Sequence, residues 1–450
     1  MRTFNPAKDS ALASCSVQFE VDPGGRLTGQ LRVPGDKSIS HRSIMLGALA
    51  DGVTRVSGFL EGDDSLATLR AFRDMGVCID GPVDGQVTIH GVGLHGLKAP
   101  AAALNLGNSG TSMRLMSGLL AGQGLDVTLI GDASLSRRPM QRVTEPLGRM
   151  GARIETAERG TAPLHIRAVS GLTGIDYAMP VASAQVKSCL LLAGIYAAGE
   201  TCVSEPAPTR DHTERMLRGF GYEVRRDGSR ACLSGGGTLR ACDIDVPGDI
   251  SSAAFFLVGA SIAEGSDLLL EHVGMNPTRD GVITILRRMG ADIEVLNARE
   301  VGGEPVADLR VRAAALRGIR IPEDQVPLAI DEFPALFVAA ACAAGETVLT
   351  GAEELRVKES DRIQVMADGL AALGIDVRPT ADGIVIQGGA IHGGAVNSQG
   401  DHRIAMAFAM AGLRAAGPIV IDDCANVNTS FPGFADLATR AGSRVVVRDV

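Results

Sequence analysis

A sixfold internal repeat is the feature that most constrains the fold of this chain. A glycine that follows an apolar helical stretch and precedes a short strand recurs six times, at spacings of 68 to 84 residues. Glycine in such a place is typical of the residue just after a helix, where the left-handed conformation favours it. The six glycines are Gly76, Gly151, Gly221, Gly290, Gly374 and Gly442.

A second pattern alternates with the first. An alanine-rich helix ends in a cluster of small residues and passes into a β-branched strand, in the six segments ALADGVTRV, LLAGQGLDVTLI, IYAAGETCV, SIAEGSDLLL, CAAGETVL and LRAAGPIVI. Each unit of roughly 75 residues therefore carries two helices and several strands. Six units are too many for one core, so the sequence predicts an α/β protein of two lobes with three units each.

Two turns of identical sequence mark the predicted crossings between the lobes. V-P-G-D occurs at residues 33–36 and again at 246–249, and each copy leads into a helix. We therefore expect one lobe to contain residues 1–33 and 247–450, and the other to contain residues 34–246. A ligand site is expected in the cleft between them.

Composition argues against several classes of protein. A net charge of −9, the absence of Trp and only 3 Tyr disfavour a nucleic-acid surface. No apolar run reaches membrane-spanning length without charge or glycine. Residues 1–16 lack the apolar region of a signal peptide, and the 8 scattered cysteines show no zinc spacing. We expect a cytoplasmic protein without a metal site.

The helix starts carry more basic residues than capping requires. Ser, Asn, Asp and Thr are expected there as N-caps. Basic residues at a helix N-terminus oppose the helix dipole, so a sequence that repeats them is predicted to bind anions. The unexplained polar residues are Lys37, Arg42, Arg138, Gln185, Arg210, Lys358, Arg362, His402 and Arg403. They predict small, multiply charged ligands held between the lobes.

Eight segments, in order from about Gly29 to Phe434, resemble enolpyruvylshikimate-phosphate synthases. They are VPGDKSISHRSIML, LGNSGTSMRLMSGLL, GDASLSRRPM, MPVASAQVKSCLLLAG, RDHTERML, IDEFPALFVAAA, RVKESDRI and GDHRIAMAFAMAG. GNSGT, DKSxSHR and RVKESDR together are highly specific for this family. The family fold has two lobes of three β-α-β-α-β-β units, which agrees with the repeats counted above.

The resemblance implies transfer of the enolpyruvyl group of phosphoenolpyruvate to the 5-hydroxyl of shikimate 3-phosphate. It assigns shikimate 3-phosphate to Lys37, Ser38, Arg42, Ser183, Ala184, Gln185, Arg210, Asp331 and Lys358. It assigns phosphoenolpyruvate to Lys37, Asn108, Gly110, Arg138, Gln185, Arg362 and Arg403. It implies catalytic roles for Asp331 as base, Glu359 as acid and Lys37 as a contact to both ligands.

Further expectations accompany these roles. The resemblance implies inhibition by glyphosate and a reaction that needs no metal or redox cofactor. We also expect a monomer, because the repeats can bury one another. The chain departs from many members in having Asn428 where a Lys precedes the Thr/Ser-Phe-Pro motif, Arg210 in place of Tyr, and Ala184 in place of Ser. These departures resemble the second, divergent class of the family.

The sequence disfavours two alternative functions. The related transferases that act on UDP-N-acetylglucosamine usually carry a Cys in the loop before an Arg-Pro dipeptide, and residues 131–139 contain none. A non-catalytic binding module would have no need for Asp331 and Glu359 beside the cations. His41 and His212 are interpreted as structural or surface residues, and Asp211 and Glu214 as charges in the first turn of a helix. Glu332 is interpreted as part of a helix start without a catalytic role. Lys187 is left open between a site role and an alkyl chain that snorkels to the surface.

Overall fold

A computed structural model describes residues 17–450. The prediction that no signal peptide is present concerns residues 1–16, and it lies outside the described residues. Between residues 17 and 450 the chain forms twelve α-helices. They are α1 (Lys37–Leu49), α2 (Asp63–Asp74), α3 (Gly110–Ala121), α4 (Gln141–Arg149), α5 (Ala184–Gly194), α6 (His212–Gly219), α7 (Ile250–Ile262), α8 (Gly281–Met289), α9 (Phe333–Ala341), α10 (Arg362–Ala372), α11 (His402–Ala411) and α12 (Phe434–Ala441).

The same residues form short strands between the helices. They are β1 (Val17–Val21), β2 (Thr28–Leu31), β3 (Val53–Ser57), β4 (Cys78–Val83), β5 (Gln86–His90), β6 (Leu104–Asn105), β7 (Val127–Ile130), β8 (Arg153–Ala157), β9 (Thr161–Arg167), β10 (Leu172–Thr173), β11 (Asp176–Ala178), β12 (Ala197–Ala198), β13 (Glu200–Ser204), β14 (Arg225–Asp227), β15 (Arg230–Ser234), β16 (Ile244–Asp245), β17 (Asp267–Gly274), β18 (Asp292–Val301), β19 (Glu304–Arg312), β20 (Glu346–Leu349), β21 (Asp376–Pro379), β22 (Ile384–Gln387), β23 (Gly394–Asn397), β24 (Ile419–Asp422) and β25 (Val445–Asp449).

Six sheets of three or four strands correspond to the six units. Their strand orders are β16-β3-β5-β4, β6-β7-β9-β8, β11-β13-β15-β14, β18-β19-β17-β2, β20-β22-β21 and β23-β24-β1-β25. Five of them repeat one plan, a parallel edge pair followed by two antiparallel pairings. The β20 sheet replaces the parallel edge with two isolated bridges, Arg317 to Ala344 and Arg320 to Val348. The sixfold repeat is therefore confirmed.

The units divide into two lobes. One hydrophobic core draws on residues 39–246, which contain α1 to α6, and we call this part the central lobe. The other draws on residues 19–33 and 250–445, which contain α7 to α12, and we call it the terminal lobe. The two V-P-G-D turns lie where the chain passes between these cores.

The first helix of each unit is an inner helix, and the second is an outer one. Every residue of α7 and α9 is buried, as expected for helices that are apolar on all sides. The inner helices α7, α9 and α11 pack against one another, and α3 packs against α1 and α5. Outer helices such as α8 bury one face alone. Helix packing therefore places the inner-helix starts together at the cleft.

The six predicted helix-ending glycines all have the left-handed conformation. Their φ angles run from 79° at Gly221 to 118° at Gly442. A Cβ added at Gly442 would lie 2.1 Å from the carbonyl oxygen of Arg26, so this position also needs the missing side chain. The glycine pattern therefore marks the positions where the backbone adopts the left-handed conformation after a helix, as predicted.

One covalent feature was missed by the sequence analysis. Cys202 and Cys232 are direct partners on β13 and β15, and they form a disulfide. The scattered cysteine spacing did not predict this pair, because cross-strand register cannot be read from spacing. None of the helices between residues 17 and 450 has the length and apolar character needed to span a bilayer.

Candidate active site

The predicted helix starts lie at the cleft between the lobes. Five inner helices begin at an Asp or Ser whose side-chain oxygen accepts a backbone N–H of the first turn, as predicted. These residues are Asp36, Ser109, Ser183, Asp249 and Asp401. The sixth inner helix, α9, begins after Glu332 without such a bond. The positive ends of the helix dipoles are therefore available to anions in the cleft.

Four cations surround Asp331, immediately before α9. Arg210 of the central lobe contacts Asp331 Oδ2 across the cleft. Arg362 Nη1 and Lys358 Nζ lie 3.2 and 3.8 Å from Oδ1, and Arg403 donates from Nη1 to the Asp331 carbonyl at 3.1 Å. Burial acts to raise the pKa of Asp331, but these four charges outweigh burial and hold the pKa well below its usual value. Asp331 is therefore ionised throughout the neutral range.

A second carboxylate, Glu359, lies beside the first. Its Oε2 accepts from Arg362 Nη2 at 2.6 Å, and its Oε1 is 3.6 Å from Arg138 Nη1 of the central lobe. Burial acts to raise the pKa of Glu359, but Arg362 and Arg138 lead the charges that hold it well below its usual value. Arg362 is fixed in turn by Asp401, whose Oδ2 accepts from its Nε at 2.8 Å.

We call these side chains the cleft cluster. Five cations and three carboxylates belong to it. A further carboxylate, Glu354, lies 3.6 Å from Lys358 but also 3.5 Å from a further cation, Arg142, so positive charge is in excess. The members are Arg138, Arg210, Lys358, Arg362, Arg403, Asp331, Glu359 and Asp401. A cationic group with polar helix starts beside it is a receptor for phosphate and carboxylate groups.

Lys37 also spans the cleft. Its Nζ donates to Asp64 Oδ2 at 2.8 Å and to Ser430 Oγ of the terminal lobe at 2.7 Å. Ser430 Oγ lies 3.1 Å from His402 Nε2. The segment that lacks the family's usual Lys at Asn428 therefore still meets Lys37, through a hydroxyl two residues later. Lys37, Arg138 and Arg210 each join the two lobes.

The starts of α3 and α5 meet in the central lobe. Arg138 Nη2 donates to Asn108 Oδ1 at 2.6 Å. Gln185 accepts from Arg114 Nη1 at 2.6 Å and donates to Thr111 Oγ1 at 3.0 Å. Burial, with the nearby Arg142 and Arg138 charges, lowers the pKa of Arg114 to about 10. The sequence analysis missed Arg114, because nothing in the motif distinguishes it from other charges on α3.

Gly110 begins α3 between two guanidinium groups. A Cβ built on Gly110 would lie 3.0 Å from Arg114 Nη1 and 3.2 Å from Arg138 Nη1. Gly110 is not among the glycines with positive φ, so its backbone conformation does not demand glycine. An added methyl group at Gly110 would therefore reduce the space in front of α3.

Other predicted ligands occupy less open positions. Arg42 is 4% exposed, and it donates to Thr213 Oγ1, to the Ser38 carbonyl and to Ser188 Oγ at 2.7 to 2.9 Å. Those donors are thus satisfied within the protein. Ser183 caps α5, and Ala184 is the first residue of that helix, where both are half-buried.

Lys187 lies outside the cleft. Its Nζ is 2.9 Å from Glu205 Oε2 and 2.8 Å from Glu214 Oε1, and all three side chains are 1% exposed. Arg226 Nη2 reaches the other oxygen of Glu205 at 2.9 Å. We call these four residues the Lys187 cluster. The snorkelling interpretation of Lys187 is wrong, because the ammonium is sealed inside by two carboxylates rather than led to the surface.

The two histidines interpreted as structural or surface residues are both buried. His41 Nδ1 lies 2.8 Å from Thr68 Oγ1, and burial holds the pKa of His41 well below its usual value. His212 Nδ1 lies 2.9 Å from Glu304 Oε1. Asp211 accepts from Arg215 and Asn276, and burial opposes but does not prevent a lowered pKa of its carboxyl.

Residues 21–437 match the family model described as EPSP synthase (3-phosphoshikimate 1-carboxyvinyltransferase). A 3-phosphoshikimate 1-carboxyvinyltransferase of Methylococcus capsulatus is 73% identical over 431 residues, covering 96% of this chain and 99% of that protein. The protein of the same name from Nitrosococcus oceani is 70% identical, covering 95% and 96%.

Solved structures show the same likeness. An EPSP synthase from Acinetobacter baumannii is 61% identical, with a TM-score of 0.88, and covers 96% of this chain and 100% of that one. The enolpyruvyl transferase NikO from Streptomyces tendae has a TM-score of 0.77 at 18% identity, covering 97% and 100%. The second similarity concerns the fold alone.

Proposed function

The chain belongs to the EPSP synthase family, and from this premise we propose how its cleft performs the reaction of that family. The protein transfers the enolpyruvyl group of phosphoenolpyruvate to the 5-hydroxyl of shikimate 3-phosphate and releases phosphate. This is a step of chorismate and aromatic amino acid biosynthesis by the shikimate pathway. The observation that carries the assignment to the cleft is the excess of cations around Asp331 and Glu359.

Two anions must be brought together for this reaction. We propose that phosphoenolpyruvate binds to Arg138, Arg362 and Arg403, with Asn108, Gly110 and Gln185 beside it. Shikimate 3-phosphate binds to Ser38, Arg42, Ser183, Ala184, Gln185, Arg210 and Lys358. Lys37 lies at the junction and contacts both. The cations offset the repulsion between the two ligands, which free solution would not do.

Asp331 accepts the proton of the 5-hydroxyl. Four cations of the protein hold the pKa of Asp331 low, which by itself makes Asp331 a weak base. Bound phosphate and carboxylate groups neutralise those cations, so the pKa of Asp331 rises when the substrates are present. Asp331 therefore becomes a stronger base in the complex, where the 5-hydroxyl is present to be deprotonated.

Glu359 supplies the matching proton. As the 5-oxygen bonds to C2 of phosphoenolpyruvate, C3 gains a proton from Glu359 and a tetrahedral intermediate forms. The C2–O bond to phosphate then breaks and phosphate leaves with the proton that Asp331 had taken, while the Glu359 carboxylate takes a proton back from C3 and the double bond is restored. Arg138 and Arg362 contact Glu359 and favour its ionised form. When an anion binds, they contact the anion instead, and the Glu359 carboxyl takes up a proton.

Closure of the lobes completes the arrangement. We propose that residues 17–33 with 247–450 move as one body against residues 34–246. Water is thereby excluded from the intermediate. The contacts of Lys37, Arg138 and Arg210 support this, because each of these predicted ligand-binding residues also contacts the opposite lobe.

Three further properties are proposed. Glyphosate competes with phosphoenolpyruvate for the arginines, the protein is a monomer, and it acts in the cytoplasm. Light scattering of the purified protein tests the second. Fractionation of cells tests the third. In the reducing cytoplasm Cys202 and Cys232 would be thiols.

Phosphate release tests the proposed function directly. Purified protein should release phosphate when phosphoenolpyruvate and shikimate 3-phosphate are both present, and not with either alone. UDP-N-acetylglucosamine in place of shikimate 3-phosphate is the control for the related transferase. Equal release with that nucleotide sugar, or none with the two named substrates, would overturn the proposal.

A further inference from the structure

The two V-P-G-D turns are bonded to each other. Gly35 and Gly248 form an antiparallel bridge. The N–H of Asp36 donates to the Pro247 carbonyl at 2.8 Å, and the N–H of Asp249 donates to the Pro34 carbonyl at 2.9 Å. The crossing between the lobes is thus one paired element with near twofold symmetry, and not two independent strands.

One buried side chain, Arg279, holds both turns. Its Nη1 contacts Asp36 Oδ2, and its Nη2 donates to Asp249 Oδ1 at 2.9 Å. Asp36 uses its other oxygen to cap α1, and Asp249 Oδ1 also caps α7. Oδ2 of Asp249 accepts from the backbone N–H of Lys37 at 3.2 Å. Arg279 therefore fixes the first turns of the two helices that leave the crossing.

The same guanidinium reaches the start of α9. Its Nη2 donates to Ser251 Oγ at 2.7 Å and lies 3.8 Å from Glu332 Oε1. Ser251 in turn contacts that Glu332 oxygen. Glu332 directly follows Asp331 and is the residue before α9. A single side chain thus links Lys37 in one lobe to Asp331 in the other.

Burial and charge make this link stiff. Arg279 is 3% exposed and faces three carboxylates, Asp36, Asp249 and Glu332. Burial opposes ionisation of Asp249, but the Arg279 and Arg403 charges lower its pKa to about 2. The planar guanidinium donates to two directions at once, which a lysine ammonium on a flexible stem does not reproduce.

We propose that Arg279 is a positioning residue, which locks the paired turns to the helix starts of Lys37 and Asp331 so that closure brings these groups together in one geometry. The inference rests on the proposed function for its kinetic readout. It assigns Arg279 no contact with substrate. Misplacement of reacting groups by about 1 Å lowers rates by about 10²-fold, so loss of the link should act on kcat.

The test compares Arg279→Gln and Arg279→Lys with Lys187→Met, a control that removes a buried cation whose ion-pair partners, Glu205 and Glu214, lie outside the turns. In Arg279→Gln, kcat per folded molecule should fall by about 10²-fold, with a smaller change in the Kd of shikimate 3-phosphate. Arg279→Lys should recover part of kcat. Lys187→Met should lose stability while its kcat per folded molecule stays near wild type.

Amide hydrogen exchange gives a readout that does not depend on activity. The first-turn amides of Ile39 and Ser251, which are bonded to Asp36 and Asp249, should exchange faster in both Arg279 variants than in Lys187→Met. An inactive wild-type protein would refute the proposed function, and not this inference.

An active wild type with unchanged kcat and unchanged exchange in folded Arg279→Lys would overturn the role of Arg279. A loss of kcat that merely follows the unfolded fraction, as in the control, would overturn it as well. If Arg279→Gln does not fold, Arg279→Lys decides, because it keeps the charge and removes the fork.

Discussion

The cleft cluster and the Lys187 cluster are both groups of buried or half-buried ionised side chains, yet they differ in balance and in access. The Lys187 cluster sets two cations against two carboxylates, and Lys187, Glu205 and Glu214 are each 1% exposed. The cleft cluster sets five cations against three carboxylates, and Asp331 and Glu359 are 14% and 28% exposed.

The difference separates a structural ion network from a binding site. Carboxylates within the protein already satisfy the cations of the Lys187 cluster, so no ligand is needed there. The cations of the cleft cluster exceed their partners, and two anionic substrates would restore the balance. Buried charge alone therefore does not indicate function, whereas uncompensated and accessible charge does.

The largest expected effect lies in the sealed cluster. Lys187→Met leaves Glu214 buried without a cation, and removal of one partner from a buried ion pair destabilises a protein by about 3–5 kcal/mol. Urea unfolding should show this loss, and adding Glu214→Gln should recover part of it. Wild-type stability in Lys187→Met would contradict the assignment of a structural role.

Asp331→Asn should lower activity more than stability, which is the reverse of what we expect for Lys187→Met. The amide keeps the shape of the side chain but cannot accept a proton, so turnover should fall by about 10²-fold or more. Its loss of stability should be smaller than that of Lys187→Met. Phosphate release and urea unfolding of both variants check the pair, and near-wild-type turnover in Asp331→Asn would remove it as the base.

The sequence predicted the parts of these clusters that local pattern controls. Gly76 and its five counterparts, and the caps such as Asp36 and Ser183, depend on residues within one turn, and the structure confirms them. The repetition then predicted two lobes of three units each, because six copies of a pattern constrain a fold more than a single copy does. The family motifs selected the residues of the cleft cluster by type.

Long-range partners could not be predicted. Arg279 lies 243 residues from Asp36, and nothing near either residue indicates the other. The Lys187 cluster and the Cys202–Cys232 pair depend on tertiary register in the same way. The partners of Arg42 could not be predicted either, because its motif specifies a guanidinium group but not the buried hydroxyls to which that group donates.

A third prediction concerns Gly110, which begins α3 in the cleft. A methyl group at Gly110 would approach Arg114 and Arg138, where the longer glyphosate should be hindered more than phosphoenolpyruvate. Gly110→Ala should raise the inhibition constant of glyphosate by about 10–200-fold, with a smaller rise in KM for phosphoenolpyruvate.

Gly148→Ala is the matched control for this change. An added Cβ at Gly148 in α4 meets no atom within 4 Å, so both constants should stay at their wild-type values. If both constants rise in parallel in Gly110→Ala, the methyl group acts on the helix start itself and not on the longer ligand.

The smallest expected effect is a change in overall dimensions. The excess positive charge of the cleft cluster comes from Arg138 and Arg210 of the central lobe, and an anion bound between the lobes would add attractive contacts to the cations of both. Saturating shikimate 3-phosphate should therefore reduce the radius of gyration measured by small-angle scattering. An unchanged radius would show that closure does not depend on neutralising the cleft cluster.

The central claim is that the cleft cluster, unlike the Lys187 cluster, has two anions to hold. A crystal structure with shikimate 3-phosphate and glyphosate tests it most directly. We expect glyphosate within hydrogen-bond distance of Arg138, Arg362 and Arg403, and the shikimate 5-hydroxyl within hydrogen-bond distance of Asp331. Ligands bound away from these residues, with every contact of Asp331 and Glu359 unchanged, would contradict it.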